Sequence, residues 1–517
     1  MDKLLCPVCG TEFESGAVEC PNQDCSFPLS GNPTLGQTWD EALAEHRERV
    51  VEARRVWLRR KISEVVYPHE ALPLEAAAAI QNCYDPLSEL LGPTTGCVTQ
   101  AQPSQRGMTG YFQRCEHGSV YWSLAYGAQP VRHGISAYYQ ALGETTSLLG
   151  FPATPEETAA PSEYGGRGAF QRFEGPREYS RDVTGLLADV RCGATVYWLE
   201  EQGAFTTSGA IGEIYEREHG TAGWLGFPTS EELDATPSPR GTQGRFQRYE
   251  GGTAYQCRPG AYTVGGAIGA YYEGLGGTGS RLGFPVSPET TAVRSPQGTE
   301  GKFQRFEGTW DYPEEMWWRF DRVQCGATIY WSEQHGAHAT WAGIGQRYET
   351  NEGTGGPLGF PTSDELEAAV STQGTTGYYQ TFEGGAICWC EKYDAHSVYG
   401  GIHAEYARLG GTYSLLGFPT SEEEEAAPSP SGTLGRVQCF EGGTIYWTPQ
   451  FGAHAVYGPV ASAYREVAAS SSVLGFPRSG PLASLEAGNG AGEWAQEFEG
   501  GWLYWNTRNG HVRQVLL

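Results

Sequence analysis

The tetrapeptide Leu-Gly-Phe-Pro recurs six times along this chain, beginning at Leu149, Leu225, Leu282, Leu358, Leu416 and Leu474. Successive copies stand 76, 57, 76, 58 and 58 residues apart, and Leu91-Gly92-Pro93-Thr94, another 58 residues upstream, reads as a decayed seventh copy. A fixed period of this length confines the chain to tandem units, because one unit is too small to cover its own apolar face and must stack on its neighbours. The fold expected is mainly β with short helices, in an array of seven units. The array starts with a helix-and-tetrapeptide half at about 71–95 and ends with a hairpin at 494–505, so each half occurs seven times. That count favours a closed, propeller-like, pseudo-symmetric ring. The alternative is an open solenoid, which wants distinct polar caps at both ends.

Within each unit the tetrapeptide is followed by a polar stretch, a strand, an acidic turn and a second strand. Phe246-Gln247-Arg248-Tyr249-Glu250-Gly251-Gly252 and Val437-Gln438-Cys439-Phe440-Glu441-Gly442-Gly443 show the turn. The hairpin closes on Tyr121-Trp122, Tyr197-Trp198, Tyr330-Trp331, Tyr446-Trp447 or Tyr504-Trp505, a pair best read as core. A short helix such as Gly401 to Tyr406 comes next, with Ile402 and Tyr406 on one stripe, stopped by Gly410-Gly411. The Glu-Gly-Gly glycines are expected to supply positive φ angles, and the tetrapeptide glycine a close backbone approach. The repeated Glu reads as a turn residue accepting backbone hydrogen bonds, not as a catalytic acid. His338, His396 and His454 recur one per unit, too far apart to share a metal.

Two units depart from this plan. Glu174 to Trp198 and Glu307 to Trp331 are each 24 steps long, against six for Glu383 to Trp389, so both carry an 18-residue insertion. The second contains Trp310, Tyr312, Trp317, Trp318 and Phe320, and the first contains Tyr179. Projecting aromatic side chains of this kind suit sugar rings or a protein partner. Trp310, Tyr312, Trp317, Trp318 and Tyr179 are therefore the candidate ligand-binding residues. The competing expectation is that the insertions fold back and cover a gap in the body.

The amino terminus is a separate problem. Cys6-Pro-Val-Cys9 and Cys20-Pro-Asn-Gln-Asp-Cys25 form two close pairs, able to deliver four thiolates to one tetrahedral zinc. A structural zinc ion at Cys6, Cys9, Cys20 and Cys25 is expected, with no open position for chemistry. Residues 1–33 then form a zinc ribbon and 34–70 a linker with an amphipathic helix over 38 to about 66, leaving 71–517 as the repeat domain. Leu43, Val50 and Trp57 stripe that helix at seven-residue spacing, which allows helix-mediated self-association.

Composition narrows the partners. With 35 Lys+Arg against 61 Asp+Glu, the formal charge is −26, and a surface so acidic repels phosphate backbones, which argues against nucleic acid. No apolar run reaches the ~18 residues of a membrane span. Met1 to Cys6 contains no apolar signal region, so the expected address is cytoplasmic, with envelope association only by a route independent of a signal. No nucleophile elbow, phosphate loop, dinucleotide fingerprint or zinc-protease helix occurs, and no enzyme activity is expected.

The recurrent tetrapeptide, the Glu-Gly-Gly turn and the Tyr-Trp strand together closely resemble the LGFP-repeat family over residues 71–517, and the paired cysteines resemble the bacterial zinc ribbons. LGFP members occur in actinobacterial envelope proteins, where they are thought to hold the protein on cell-wall polysaccharide. The resemblance implies a non-catalytic module that binds polysaccharide, with the ribbon and helix as a docking element. The alternative is an intracellular protein–protein scaffold that uses the array as a platform.

Overall fold

The computed structural model describes residues 4–5, 12–13, 72–199, 201–258, 260–316, 323–483, 493–506 and 508–517. They fall into two compact units, one of residues 1–101 and 109–128, the other of 102–108 and 129–517. Cys6, Cys9, Cys20 and Cys25, and the helix expected over 38–66, lie outside the described residues. In the first unit Leu4–Leu5 pairs antiparallel with Glu12–Phe13. Its core gathers Ala76 and Ile80 of the helix Leu72–Tyr84 against Leu91, Cys115, Val120 and Trp122.

Among the described residues, seven four-stranded antiparallel sheets succeed one another along the chain. One sheet in the second unit serves for all: Glu424–Glu425, Arg436–Phe440, Gly443–Thr448 and Gly452–Tyr457 lie side by side in chain order. The helix Pro459–Glu466 and the tetrapeptide at Leu474 follow. The sequence pattern reveals the two middle strands and the helix. It conceals the two-residue first strand and the fourth, Gly452–Tyr457, whose short Ala and polar His blur the period-two pattern.

The apolar tetrapeptide residues do enter the core. Leu416 and Phe418 are buried with Tyr406, Phe440, Ile445 and Ala455, an assembly that unites a helix and strands of two successive sheets. The helix tyrosine then turns its polar end to use. The hydroxyls of Tyr139, Tyr215, Tyr272, Tyr348, Tyr406 and Tyr464 each donate to the tetrapeptide glycine carbonyl 11 residues on, at 2.5–2.8 Å. A fully buried ring therefore leaves no orphaned hydroxyl. Each of these tyrosines contributes roughly 2–3 kcal/mol of apolar burial without the cost of an unmet polar group. The Tyr-Trp pair is core as expected: Tyr197 and Tyr330 are buried, and Trp447 lies so close to Gly401 that a Cβ there would meet its ring at 2.4 Å.

The tetrapeptide glycine makes the close approach expected of it and adds a positive φ, whereas the first turn glycine lacks the φ expected of it. In the tetrapeptide, Gly150, Gly226, Gly283, Gly359, Gly417 and Gly475 have φ between +63° and +67°, where a side chain is strained. In the Glu-Gly-Gly turn, Gly251, Gly384, Gly442 and Gly500 are absent from the left-handed region. A Cβ on them would lie 1.8–2.1 Å from the carbonyl oxygen of Trp224, Pro357, Leu415 or Val473. Close approach, not φ, excludes side chains at these four positions.

Successive sheets are joined by one buried glutamine each. Nε2 of Gln171, Gln247, Gln304, Gln380, Gln438 and Gln496 donates to two carbonyls, 41 and 17 residues earlier, at 2.8–3.0 Å. The first carbonyl belongs to the last strand of the preceding sheet, the second to the turn after the tetrapeptide. Oε1 of Gln247 accepts the Tyr249 hydroxyl at 3.0 Å. In Gln171, Gln304, Gln380, Gln438 and Gln496, where a phenylalanine replaces that tyrosine, the buried Oε1 has no partner among the described residues. Gln438→Leu takes the donor from the buried Ser397 carbonyl and the half-buried Ser421 carbonyl and should cost about 2–3 kcal/mol in denaturant unfolding, whereas Phe306→Tyr should gain up to ~1 kcal/mol. A Gln438→Leu chain as stable as the parent would refute the seam.

Candidate functional site

The repeated glutamate is structural. Oε2 of Glu174, Glu250, Glu307, Glu383, Glu441 and Glu499 accepts the backbone N–H of the tetrapeptide phenylalanine at 2.7–3.4 Å. In five of the six, Oε1 takes a hydroxyl from the preceding repeat: Ser104, Thr242, Thr299, Thr375 and Thr433 donate to Glu174, Glu307, Glu383, Glu441 and Glu499. A carboxylate held this way closes its turn and pins its neighbour, with little left for a substrate. A Cβ on the tetrapeptide glycine would also strike it, 2.2 Å away at Gly359 and Gly417.

The recurrent histidines are likewise engaged locally. Nδ1 of His338 lies 2.9 Å from Asp364, Nδ1 of His396 lies 3.0 Å from Glu422, and Nε2 of His454 lies 2.8 Å from the Phe451 carbonyl. Among the described residues no group of three or more His, Cys, Asp or Glu is placed to hold a metal ion.

The insertions share one root. Each leaves its sheet at a glycine, Gly175 or Gly308, and returns at Gly193 or Gly326. The two legs touch: a Cβ on Gly326 would lie 1.6 Å from the Trp310 carbonyl, and one on Gly193 would lie 1.6 Å from that of Arg177. Tyr179 N donates to the Cys192 carbonyl and Tyr312 N to that of Cys325, both at 2.8 Å. The following ring plugs the body. The Tyr179 hydroxyl donates to the Thr207 carbonyl at 3.2 Å. Gly212 and Gly345 leave space for the two hydroxyls, which would otherwise stand 2.4 and 2.2 Å from a Cβ. Burial pushes the Cys192 and Cys325 thiols up to about 12, so these cysteines are inert packing groups.

This geometry sorts the candidate ligand residues. Tyr179 and Tyr312 are 4% and 2% exposed, a correction to their expected role as platforms: their rings fill gaps in the body. Trp310, two residues before Tyr312, is 75% exposed. Trp317 and Trp318 lie outside the described residues. Folding back and projecting thus coexist within one insertion.

Two arginines outside the recurrent motif reach the insertions. Arg240 reaches from the preceding repeat to Asp311 through both terminal nitrogens, at 2.6 and 2.8 Å, and to the Glu307 carbonyl at 3.4 Å. Arg106 occupies the same place at the first insertion but reaches its carboxylate, Glu178, through one nitrogen, at 3.1 Å, and the Glu174 carbonyl through the other, at 3.2 Å. The corresponding positions of the other repeats hold Tyr164, Gln297, Gln373 and Ser431. An arginine there only where an insertion follows was the available signal.

Five segments of the chain, 96–147, 225–280, 282–356, 358–413 and 416–472, match the family model for the LGFP repeat. The chain belongs to the LGFP repeat family. No curated protein sequence matches it. Solved structures with some likeness include a catalytically inactive virginiamycin B lyase from Staphylococcus aureus with quinupristin. It is 8% identical, with 70% of this chain and 88% of that one covered and a TM-score of 0.10. A mutant of AofleA from Arthrobotrys oligospora is 10% identical, with 71% and 91% covered and a TM-score of 0.10. PorZ of Porphyromonas gingivalis is 8% identical, with 81% and 37% covered and a TM-score of 0.12. Scores this low carry no argument about the LGFP array. Among the described residues no helix is long and apolar enough to cross a membrane.

Between LGFP repeats, Glu422 is a titratable clasp. Burial alone would raise its carboxyl, but the His396 and Ser397 side chains, the Arg347 charge and the Ser397 amide together hold it below the usual glutamate range. A depressed folded pKa stabilises at pH above the unfolded value, and the gain is lost as pH falls through the folded one. Glu422→Gln should therefore destabilise at pH 7, with the difference shrinking as pH falls below the ordinary carboxylate range. Thermal unfolding of both forms across pH 3–7 measures this, and a constant gap would refute it.

Proposed function

We propose that this chain is a non-catalytic binding protein whose LGFP array recognises polysaccharide, of the cell-wall type, through the second insertion. The observation that carries the reading is Trp310, an indole 75% exposed on a backbone fixed between Gly326 and the buried Tyr312. A large apolar ring left in water on a fixed support is a poor use of tryptophan in a monomer and a good use in a recognition surface. An indole face accepts the C–H face of a pyranose. Family membership points the same way. The repeated glutamates, committed to backbone and hydroxyl donors, fit a binding role better than acid–base chemistry.

The array is proposed to close as a ring of seven sheets, since it contains equal numbers of hairpins and helix-and-tetrapeptide halves. Cys6, Cys9, Cys20 and Cys25 are proposed to hold one structural zinc, making residues 1–33 a docking ribbon for another component. The purified chain should carry one zinc per molecule by elemental analysis. Cys6→Ser/Cys9→Ser should abolish it, and a metal-free parent would end the zinc proposal.

Co-sedimentation of the full chain with insoluble cell-wall polysaccharide tests the main reading. Saturable binding, competed by soluble glycan and lost in Trp310→Ala, is expected. Binding no greater than to an inert bead would reject the glycan and direct attention to a protein partner.

A further inference from the structure

The two insertions have equivalent roots but present different side chains. Residues 133 apart correspond: Tyr179 with Tyr312, Cys192 with Cys325, Gly212 with Gly345. The counterpart of Trp310 by the same offset is Arg177. Both stand on the backbone carbonyl that crosses the returning glycine, and both are exposed, Trp310 at 75% and the Arg177 side chain at 62%. Arg177 leans on Glu213, 3.6 Å away. The two arms are built alike and cannot read the same ligand, since one offers an aromatic face and the other a cation already shared with a carboxylate.

What fixes Trp310 lies in the repeat before it. Asp311, its neighbour, is gripped by both terminal nitrogens of Arg240 and also accepts the Gln324 amide at 2.5 Å, on the returning leg of the same arm. A two-point guanidinium–carboxylate contact sets orientation as well as distance. Tyr312 anchors the following residue in the body. Of Trp310, Asp311 and Tyr312, the tryptophan is the one whose side chain is left free to meet a ligand, and the ordering cost of the backbone beneath it is met in advance.

We infer that Arg240 is the positioning residue of the glycan site: from the preceding repeat it locks Asp311, so that Trp310 is presented as a pre-ordered stacking platform, and the first arm with its own latch, Arg106, takes no part in glycan binding. This rests on the polysaccharide reading above and narrows it to one arm. Recognition here spans two repeats, so a single repeat cut from the array cannot present the site.

A mutant cycle on the full chain, with the same insoluble polysaccharide as probe, separates positioning from general stability. Arg240→Gln should weaken binding by about tenfold, the scale of releasing one or two ordered side chains. Arg240→Lys, which keeps charge but not the fork, should recover part of it, and Arg106→Gln should leave affinity within about twofold, by the same reckoning. In the Trp310→Ala background Arg240→Gln should have no further effect, because both changes remove the same contact. Equal losses from Arg106→Gln and Arg240→Gln, or additive losses with Trp310→Ala, would overturn the inference. Should the parent chain fail to bind, the polysaccharide reading falls by itself. Amide exchange over 308–316 then tests the latch alone: faster exchange in Arg240→Gln than in Arg106→Gln upholds it, and no difference overturns it.

Discussion

The structure depends on a single buried amide per seam. Each glutamine from Gln171 to Gln496 is completely or almost completely removed from water, and its two N–H groups meet carbonyls from two different segments. Buried carbonyls without donors are costly, so each glutamine ties its strand to the two segments whose carbonyls it meets. Leucine of similar volume would fill the space and specify nothing. The apolar core supplies most of the stabilisation, while the amide supplies the register between repeats.

Around that amide the other recurring residues satisfy one another. The tetrapeptide glycine turns its carbonyl to the helix tyrosine and leaves room for the glutamate. That glutamate holds the next N–H along the tetrapeptide and, in most repeats, a hydroxyl from the repeat before. The short motif is thus one circuit of hydrogen bonds in a dry interior, where partial satisfaction would be worse than none. The two insertions leave this circuit intact, since Glu174 and Glu307 keep both of their partners. There a glycine-lined neck and a buried tyrosine replace the tight turn without disturbing the sheet.

The recurring residues differ in how far their roles are legible from sequence alone. Leu416 and Phe418 announced themselves as core by recurrence, and Tyr406 by its helical spacing from Ile402. The turn glycines and the tetrapeptide glycine both stand out in the sequence, but a positive φ belongs to the tetrapeptide and only close approach to the first turn position, since sequence cannot separate a positive φ from a forbidden Cβ. The strand Gly452–Tyr457 was missed because alternation of Ala and His carries little hydrophobic contrast. Tyr179 and Trp310 looked alike as aromatic residues of insertions. Whether an aromatic ring turns inward or outward depends on a cavity in another segment, here the one opened by Gly212.

The sequence by itself determined the repeat, its period, the residues of its core and the positions of the two insertions, because stacked identical units impose identical residues at equal spacing. Only the tertiary structure decided that Gln247 and its counterparts are the couplings, that the repeated glutamate is spent on its own turn, and that Arg240 reaches Asp311, 71 residues away. Those contacts join segments whose nearness is a consequence of stacking, and no local pattern encodes the partner of a side chain that finds it only after the sheets have met.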